Sequence, residues 1–133
     1  MTKQRMRRGE NTPDPDAGVL CGDVLDAQTL RQDATTNFEL FGFYGISVWV
    51  PTQDRTADVL LATKLLKSQV VLRFTARDLT AQHLELWDTG QSPHYDVVYV
   101  RADDPDALVN ALLAAPNTIM INPHYDPDGG PDR

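Results

Sequence analysis

Cysteine is nearly missing from this chain, since Cys21 is the only one among 133 residues. One thiol excludes an intramolecular disulfide, and a domain of this length buries about two thirds of its unfolded surface without disulfides or metal. No uninterrupted apolar run approaches the roughly 20 residues of a membrane helix, and the basic start has no apolar segment behind it. We therefore expect a soluble, cytoplasmic domain in which Cys21 packs as a small core residue.

Motifs that specify a reaction are also lacking. The sequence contains no glycine-rich phosphate loop, no Cys-x-x-Cys pair, no His-Glu-x-x-His and no Gly-x-Ser-x-Gly. The aromatic and glycine pattern of RNA-recognition strands is missing as well. These absences exclude the families that the motifs define and leave the class of function open.

Basic charge is scarce outside the N-terminus. Twelve Lys and Arg stand against nineteen Asp and Glu, which gives a net charge of −7. Residues 17–122 carry seven basic and thirteen acidic side chains, so this part of the chain repels phosphate backbones. We predict a basic protein partner, no membrane partner, and no nucleic-acid partner except through the N-terminal tail. The basic residues of that tail are Lys3, Arg5, Arg7 and Arg8.

Stretches rich in proline, aspartate and glycine stand at both ends of the chain. Such stretches cannot bury enough apolar surface to offset the entropy lost on ordering. The sequence therefore predicts a disordered tail at residues 1–16, a single folded domain at residues 17–122 and a flexible acidic tail at residues 123–133.

Apolar and aromatic side chains concentrate in residues 38–50, which include three of the four Phe and one of the two Trp. The spacing upstream predicts a helix over 27–40 that ends in a left-handed turn at Gly42. Alternation of apolar residues then predicts a strand over 46–50, whose inward side is Ile, Val and Val. The apolar stripe of the helix would consist of Leu30, Ala34, Phe38 and Phe41.

The rest of the domain alternates between helix and strand signals. Asp104, Pro105 and Asp106 mark the clearest boundary, because an N-cap, a proline at the first helical position and a first-turn acid coincide there. Residues 18–21 are predicted to form a short edge strand. The other predicted elements are a helix at 55–67, a strand at 70–75, a helical turn at 76–82, strands at 83–87 and 95–101, a helix at 105–115 and a strand at 118–121.

From residue 45 onward, this order matches a known architecture if the strand at 83–87 is treated as an insertion. Strand, helix, strand, strand, helix, strand is the split βαβ order of ferredoxin-like sandwiches. We therefore predict a single α+β domain of ferredoxin-like type with an added N-terminal helix. That architecture hosts enzymes and binding modules alike, so it does not select a function.

The tetrapeptide Pro-His-Tyr-Asp occurs twice, at residues 93–96 and 123–126. Two histidines and two aspartates are a reasonable ligand set for zinc, iron or manganese. The second copy, however, lies in the proline- and glycine-rich tail, where nothing fixes ligand geometry. Coincidence or two proline-led turns account for the repeat better, and we predict neither a metal site nor a cofactor.

Two classes of function remain open. The lack of a coherent catalytic set favours a non-catalytic protein-binding or regulatory module, such as an inhibitor, an antitoxin or an immunity protein. The alternative is a small hydrolase or nuclease, in which a histidine moves a proton, a carboxylate orients it and an arginine holds an anion. Its catalytic residues would be His94, His83, Glu85 and Arg73.

A binding module of this composition would use exposed acids at helix starts together with an apolar anchor. Trp87 is the expected anchor. Trp49 points away from the inward side of its strand, so it would join the contact surface if it is exposed. The predicted contact residues are Asp54, Asp58, Trp87, Asp103, Asp104, Asp106 and Trp49.

Overall fold

The computed structural model describes residues 13–22, 27–52, 56, 70–91 and 94–123. Within these residues the chain forms six strands and three helices. The elements are β1 (Gly18–Gly22), α1 (Ala27–Phe41), β2 (Ile46–Trp49), β3 (Val70–Thr75), α2 (Ala76–Ala81), β4 (Leu84–Gln91), β5 (His94–Tyr99), α3 (Pro105–Ala114) and β6 (Thr118–Ile121).

All six strands belong to one antiparallel sheet with the order β4-β5-β2-β1-β3-β6. The chain is therefore a single small α+β domain, as the sequence predicts at this level. The predicted helix at 55–67 lies outside the described residues except for residue 56. The parts of the predicted tails before residue 13 and beyond residue 123 also lie outside them.

β1 is a central strand, and its prediction as an edge strand is wrong. It pairs with β3 over its full length and with β2 at Leu20 and Trp49. Its three middle residues, Val19 to Cys21, are all fully buried, which requires cover on both faces of the sheet. A short continuous apolar run of this kind is typical of a central strand.

The position of β1 also leaves the ferredoxin-like order unconfirmed. β2 and β3 run parallel to each other, because each is antiparallel to β1. In the ferredoxin-like order β5 would lie between them, whereas here β1 takes that place and β6 pairs with β3 at the sheet edge. The predicted order starts at residue 45 and therefore does not include β1, which lies between β2 and β3.

The start of α3 is formed as the sequence predicts. Asp104 is the N-cap, and its Oδ1 accepts hydrogen bonds from the N–H groups of Asp106 at 2.9 Å and Ala107 at 3.4 Å. Pro105 occupies the first turn, where its missing N–H costs nothing.

The main hydrophobic core lies on one face of the sheet, beneath the three helices. Alternate strand residues point into it, so their neighbours point to the opposite face. α1 and α3 also pack against each other. The core includes Val19, Ile46, Val48, Phe74, Leu84 and Val97 from the sheet and Leu30, Ala34, Leu79, Leu108 and Leu112 from the helices.

The apolar stripe of α1 differs from its prediction at two positions, because Phe38 is exposed and Phe41 is only half-buried. Leu30 and Ala34 are buried, but Phe38 is 42% exposed and Asn37 is buried in its place. The side-chain amide of Asn37 donates a 2.6 Å hydrogen bond to the carbonyl of Gly45. This bond satisfies a backbone acceptor in the loop after α1, which an apolar side chain would leave unpaired.

Pro15 and Asp16 contact the start of α2, although the sequence places them in a tail. The N–H of Arg77 donates to the carbonyl of Pro15 at 2.8 Å, and the Arg77 guanidinium pairs with Asp16 at 2.8 Å. Of the helices in the described part of the chain, none has the length and apolar character needed to cross a membrane.

Candidate functional site

The second face of the sheet, opposite the helices, is defined here by Leu20, Trp49, Val71 and Met120, which pack together as a small separate cluster. Strand alternation places further polar and aromatic side chains on this face. They include most of the predicted catalytic residues, namely Arg73, Glu85 and His94, together with Trp87 and Asp96.

The sheet does not bring the predicted catalytic residues together. His94 and Arg73 lie in the same row, but β2 and β1 stand between their strands, so their Cα atoms are about 14 Å apart. Glu85 is opposite Val98, four residues along β5 from His94, which is a further separation of about 13 Å. Proton transfer between these groups would need hydrogen-bond contact, directly or through one water.

His83 has a backbone role at the turn between α2 and β4. Its φ is +64°, and its N–H donates to the carbonyl of Thr80 at 3.0 Å. Its carbonyl accepts from the N–H of Val100 at 3.1 Å. The exposed imidazole therefore stands on a fixed turn away from His94 and Arg73.

Arg73 is an exposed cation in the middle of its strand. Its guanidinium lies over Gly18 of β1, so closely that a Cβ at position 18 would fall within 3.0 Å of Nε and Nη2. No carboxylate among the described residues forms an ion pair with it. The guanidinium is consequently available to an anion or to the carboxylate of another molecule.

Trp49 is only half-buried, and its ring covers Leu20 and Val71. The edge-on contact with the imidazole of His94 has a ring separation of 5.3 Å. Its indole Nε1 is buried, and within the described residues no acceptor lies in hydrogen-bonding reach of it. Trp49 therefore contributes to packing on the second face and is not the fully exposed anchor that would extend the predicted contact surface.

Trp87 is also half-buried and is held from two sides. Its Nε1 donates to Glu85 Oε1 at 2.8 Å, and its ring lies 6.1 Å from that of Phe43. Phe43 in turn covers Gly45, where any side chain would collide with the Phe43 ring. The loop after α1 thus folds over the end of the second face and brings Trp87 into an aromatic cluster.

The predicted acidic residues at the start of α3 are exposed. Asp104 is engaged as the helix cap, and Asp106 pairs with Arg31 of α1 through a 2.6 Å contact between Nε and Oδ1. Asp103 precedes them on the same exposed loop. Asp54 and Asp58, the other predicted acids, lie outside the described residues.

Phe38 is a surface residue that the sequence places in the core. Its ring stacks on that of Tyr44 with a centroid distance of 4.3 Å and an interplanar angle of 18°. Arg31 and Phe38 are seven residues apart on α1, so they lie on the same side of the helix, about 10 Å apart along its axis. We call Arg31, Phe38, Tyr44, Asp103 and Asp106 the helix surface.

Tyr95 is a buried titratable group on the helix-covered face of β5, opposite Asp88 of β4. Burial raises the pKa of its phenol above the ordinary value of 10.0, and the negative charge of Asp88 raises it further. The hydroxyl is therefore neutral at physiological pH and acts as a hydrogen-bonding group rather than as an acid.

His94, Tyr95 and Asp96 of the first Pro-His-Tyr-Asp copy form the start of β5, with His94 and Asp96 on the same face of the strand, as alternation predicts. Asp96 is fully buried. The described ranges contain no cluster of three His, Cys, Asp or Glu side chains that would hold a metal ion. The histidine and aspartate of the second copy lie outside the described residues.

A comparison with known proteins adds no relative from which a function could be inferred. No protein-family model, no curated protein and no solved structure matches this chain.

Proposed function

We propose that this chain is a non-catalytic protein-binding module, in the class of inhibitors, antitoxins and immunity proteins, and that the helix surface is its contact site. The observation that carries the proposal is the exposed Phe38, stacked on Tyr44, on the side of α1 that also carries the Arg31–Asp106 pair.

The helix surface has the composition of a protein interface. An aromatic ring at the centre with charged groups at the margin is the usual arrangement, in which the ring supplies affinity and the charges select the partner. Stacking on Tyr44 already orders the Phe38 ring, so a partner would pay little side-chain entropy to bury it.

The sign of the charge favours a basic partner. The chain has a net charge of −7, and the start of α3 presents three aspartates to solvent. Arg31 offsets one of them through its pair with Asp106, and Asp103 is exposed on the preceding loop. Long-range attraction would accelerate association with a basic protein and would weaken as salt is added.

A cytoplasmic setting is part of the same proposal. It is supported by Cys21, the single cysteine of the sequence, which is a buried thiol.

The alternative, a small hydrolase or nuclease, has less support. It needs His94, Glu85 and Arg73 in one pocket, and the strand order separates them by two or more strand widths or several residues along a strand. Substrate-dependent activity that is lost on His94→Ala would overturn the binding proposal.

The test is a quantitative pull-down with the full chain from lysate of its own cells at physiological salt. Phe38→Ala is the test variant, and Leu40→Ala is the matched control, because Leu40 is 65% exposed but lies on the opposite flank of α1. We expect one protein to be captured by the wild type and by Leu40→Ala, with recovery lowered about tenfold by Phe38→Ala. Equal recovery with both variants, or no captured protein, would refute the proposal.

A further inference from the structure

β6 is an edge strand without the usual protection. Its four residues are uncharged, and Ile119 and Ile121 are 61% and 65% exposed. In an antiparallel ladder, alternate residues of an edge strand turn their N–H and C=O groups away from the sheet. Within the described part of the chain, no hydrogen bond covers these outer groups of β6.

The opposite edge of the sheet, formed by β4, is protected against pairing with another chain. β4 carries the carboxylates of Glu85 and Asp88, and its register with β5 shifts between Asp88 and Gln91. Charges and irregular register are the means by which edge strands avoid pairing with other chains. The contrast between the two edges marks β6 as the edge that is open to another strand.

The distribution of charge favours a second copy of the same chain as the occupant. A protein with a net charge of −7 repels its own copy over most of its surface. Residues 107–123, however, include no charged side chain, and this segment runs from α3 through β6. Two copies would therefore meet with least repulsion at this edge.

We propose that two copies of the chain associate through β6, antiparallel and about a two-fold axis that passes through Met120, to form one continuous sheet across both molecules. This register pairs Met120 with Met120 of the copy and Ile119 with Ile121 of the copy. Directly opposite residues share a face, so the four exposed isoleucines become neighbours on the helix-covered side. The proposal uses a surface separate from the helix surface and does not depend on the proposed function.

The size of the contact sets the expected strength. One short strand pair buries less than the roughly 1,200 Å² of a standard interface, so the dimer exchanges with monomer and becomes populated as concentration rises. Sedimentation velocity on the full chain over a range of micromolar concentrations would measure it.

Ile121→Lys is the variant for that measurement, with Leu40→Lys as control, because both side chains are 65% exposed. We expect Ile121→Lys to raise the dimer dissociation constant about tenfold or more, since it places lysine on the edge, and Leu40→Lys to leave it near the wild-type value. A wild type that stays monomeric at every concentration, or equal effects of both variants, would overturn the proposal. Circular dichroism would establish that both variants are folded.

Cysteine substitution tests the register independently. Met120→Cys would bring two thiols together on strands whose Cα atoms are about 4.5–5.5 Å apart, which is within disulfide range. Thr118→Cys is the matched control, because its thiols would be four residues out of register. We expect a disulfide-linked dimer from Met120→Cys only, and the buried native Cys21 adds no background. Cross-linking of Thr118→Cys alone, or of neither variant, would contradict this register.

Discussion

Asp33 of α1 accepts a hydrogen bond from the backbone N–H of Ser47 in β2, with 3.0 Å between Oδ2 and N. β1 and β2 share only the pair Leu20 and Trp49, so the β1 side of Ser47 has no ladder partner. The carboxylate of Asp33 supplies the missing acceptor. Through this bond α1 is fixed to the strand that follows it, which also positions the helix surface.

Asp33→Ala should destabilise the protein by about 1–2 kcal/mol, because it leaves the N–H of Ser47 without its charged acceptor. Asp33→Asn keeps an oxygen at the same place, so it should lower the free energy of unfolding by a smaller amount. Urea unfolding of the three proteins would measure the differences. Wild-type stability in Asp33→Ala would show that the bond contributes nothing.

Gly42 ends α1 with a left-handed backbone, at φ +86°, and its N–H donates to the carbonyl of Phe38 at 2.9 Å. A side chain at this position would meet no atom within 4 Å, so the cost of a substitution comes from the backbone alone. We expect Gly42→Ala to lower the free energy of unfolding by about 1 kcal/mol and Gly42→Asn to lower it less. Thermal unfolding would check the order, and an alanine variant as stable as the wild type would be inconsistent with it.

Tyr95 should make the protein sensitive to alkaline pH. Its pKa is raised in the folded state, so the unfolded chain releases the phenolic proton first. The contribution of Tyr95 to the free energy of unfolding is fully present below the unfolded pKa of 10.0. It is lost as the pH rises from there through the raised pKa of the folded state.

Tyr95→Phe removes that proton, so above pH 10 its stability should fall less steeply with pH than that of the wild type. Denaturant unfolding between about pH 8 and pH 11 would give both slopes, and the pH 8 values control for the loss of the hydroxyl itself. Parallel curves for the two proteins would argue against a raised pKa.

The sequence predicted correctly those elements for which several neighbouring residues favour the same backbone conformation. The cap at Asp104, the turn at Gly42 and the strands at 70–75 and 118–121 all lie where the sequence places them. In each case the residues that favour the backbone conformation are adjacent in the chain, and the tertiary contacts agree with them.

The predictions were wrong where contacts between residues distant in the chain determine the structure. β1 became central because β2 and β3 both pair with it, and no local signal shows which strands will meet. Phe38 lost its core position to Asn37, since the carbonyl of Gly45 needs a donor there. The exposed ring on Tyr44, which is the centre of the proposed site, follows from that exchange and could not be predicted from periodicity.

The predicted contact residues lie in different surroundings for the same reason. Asp103, Asp104 and Asp106 lie at an exposed helix start, as capping rules imply. Trp87 instead has its polar atom engaged by Glu85 and its ring beside Phe43, partners that become neighbours only through the fold.

Binding of a protein partner by the helix surface is tested most directly by the dissociation constant of the captured partner for two alanine variants of α1. Phe38→Ala and Leu40→Ala each remove one exposed apolar side chain from α1, on opposite flanks. The account predicts that Phe38→Ala weakens binding about tenfold or more and that Leu40→Ala changes it less than about twofold. Equal weakening, or none with Phe38→Ala, would contradict it.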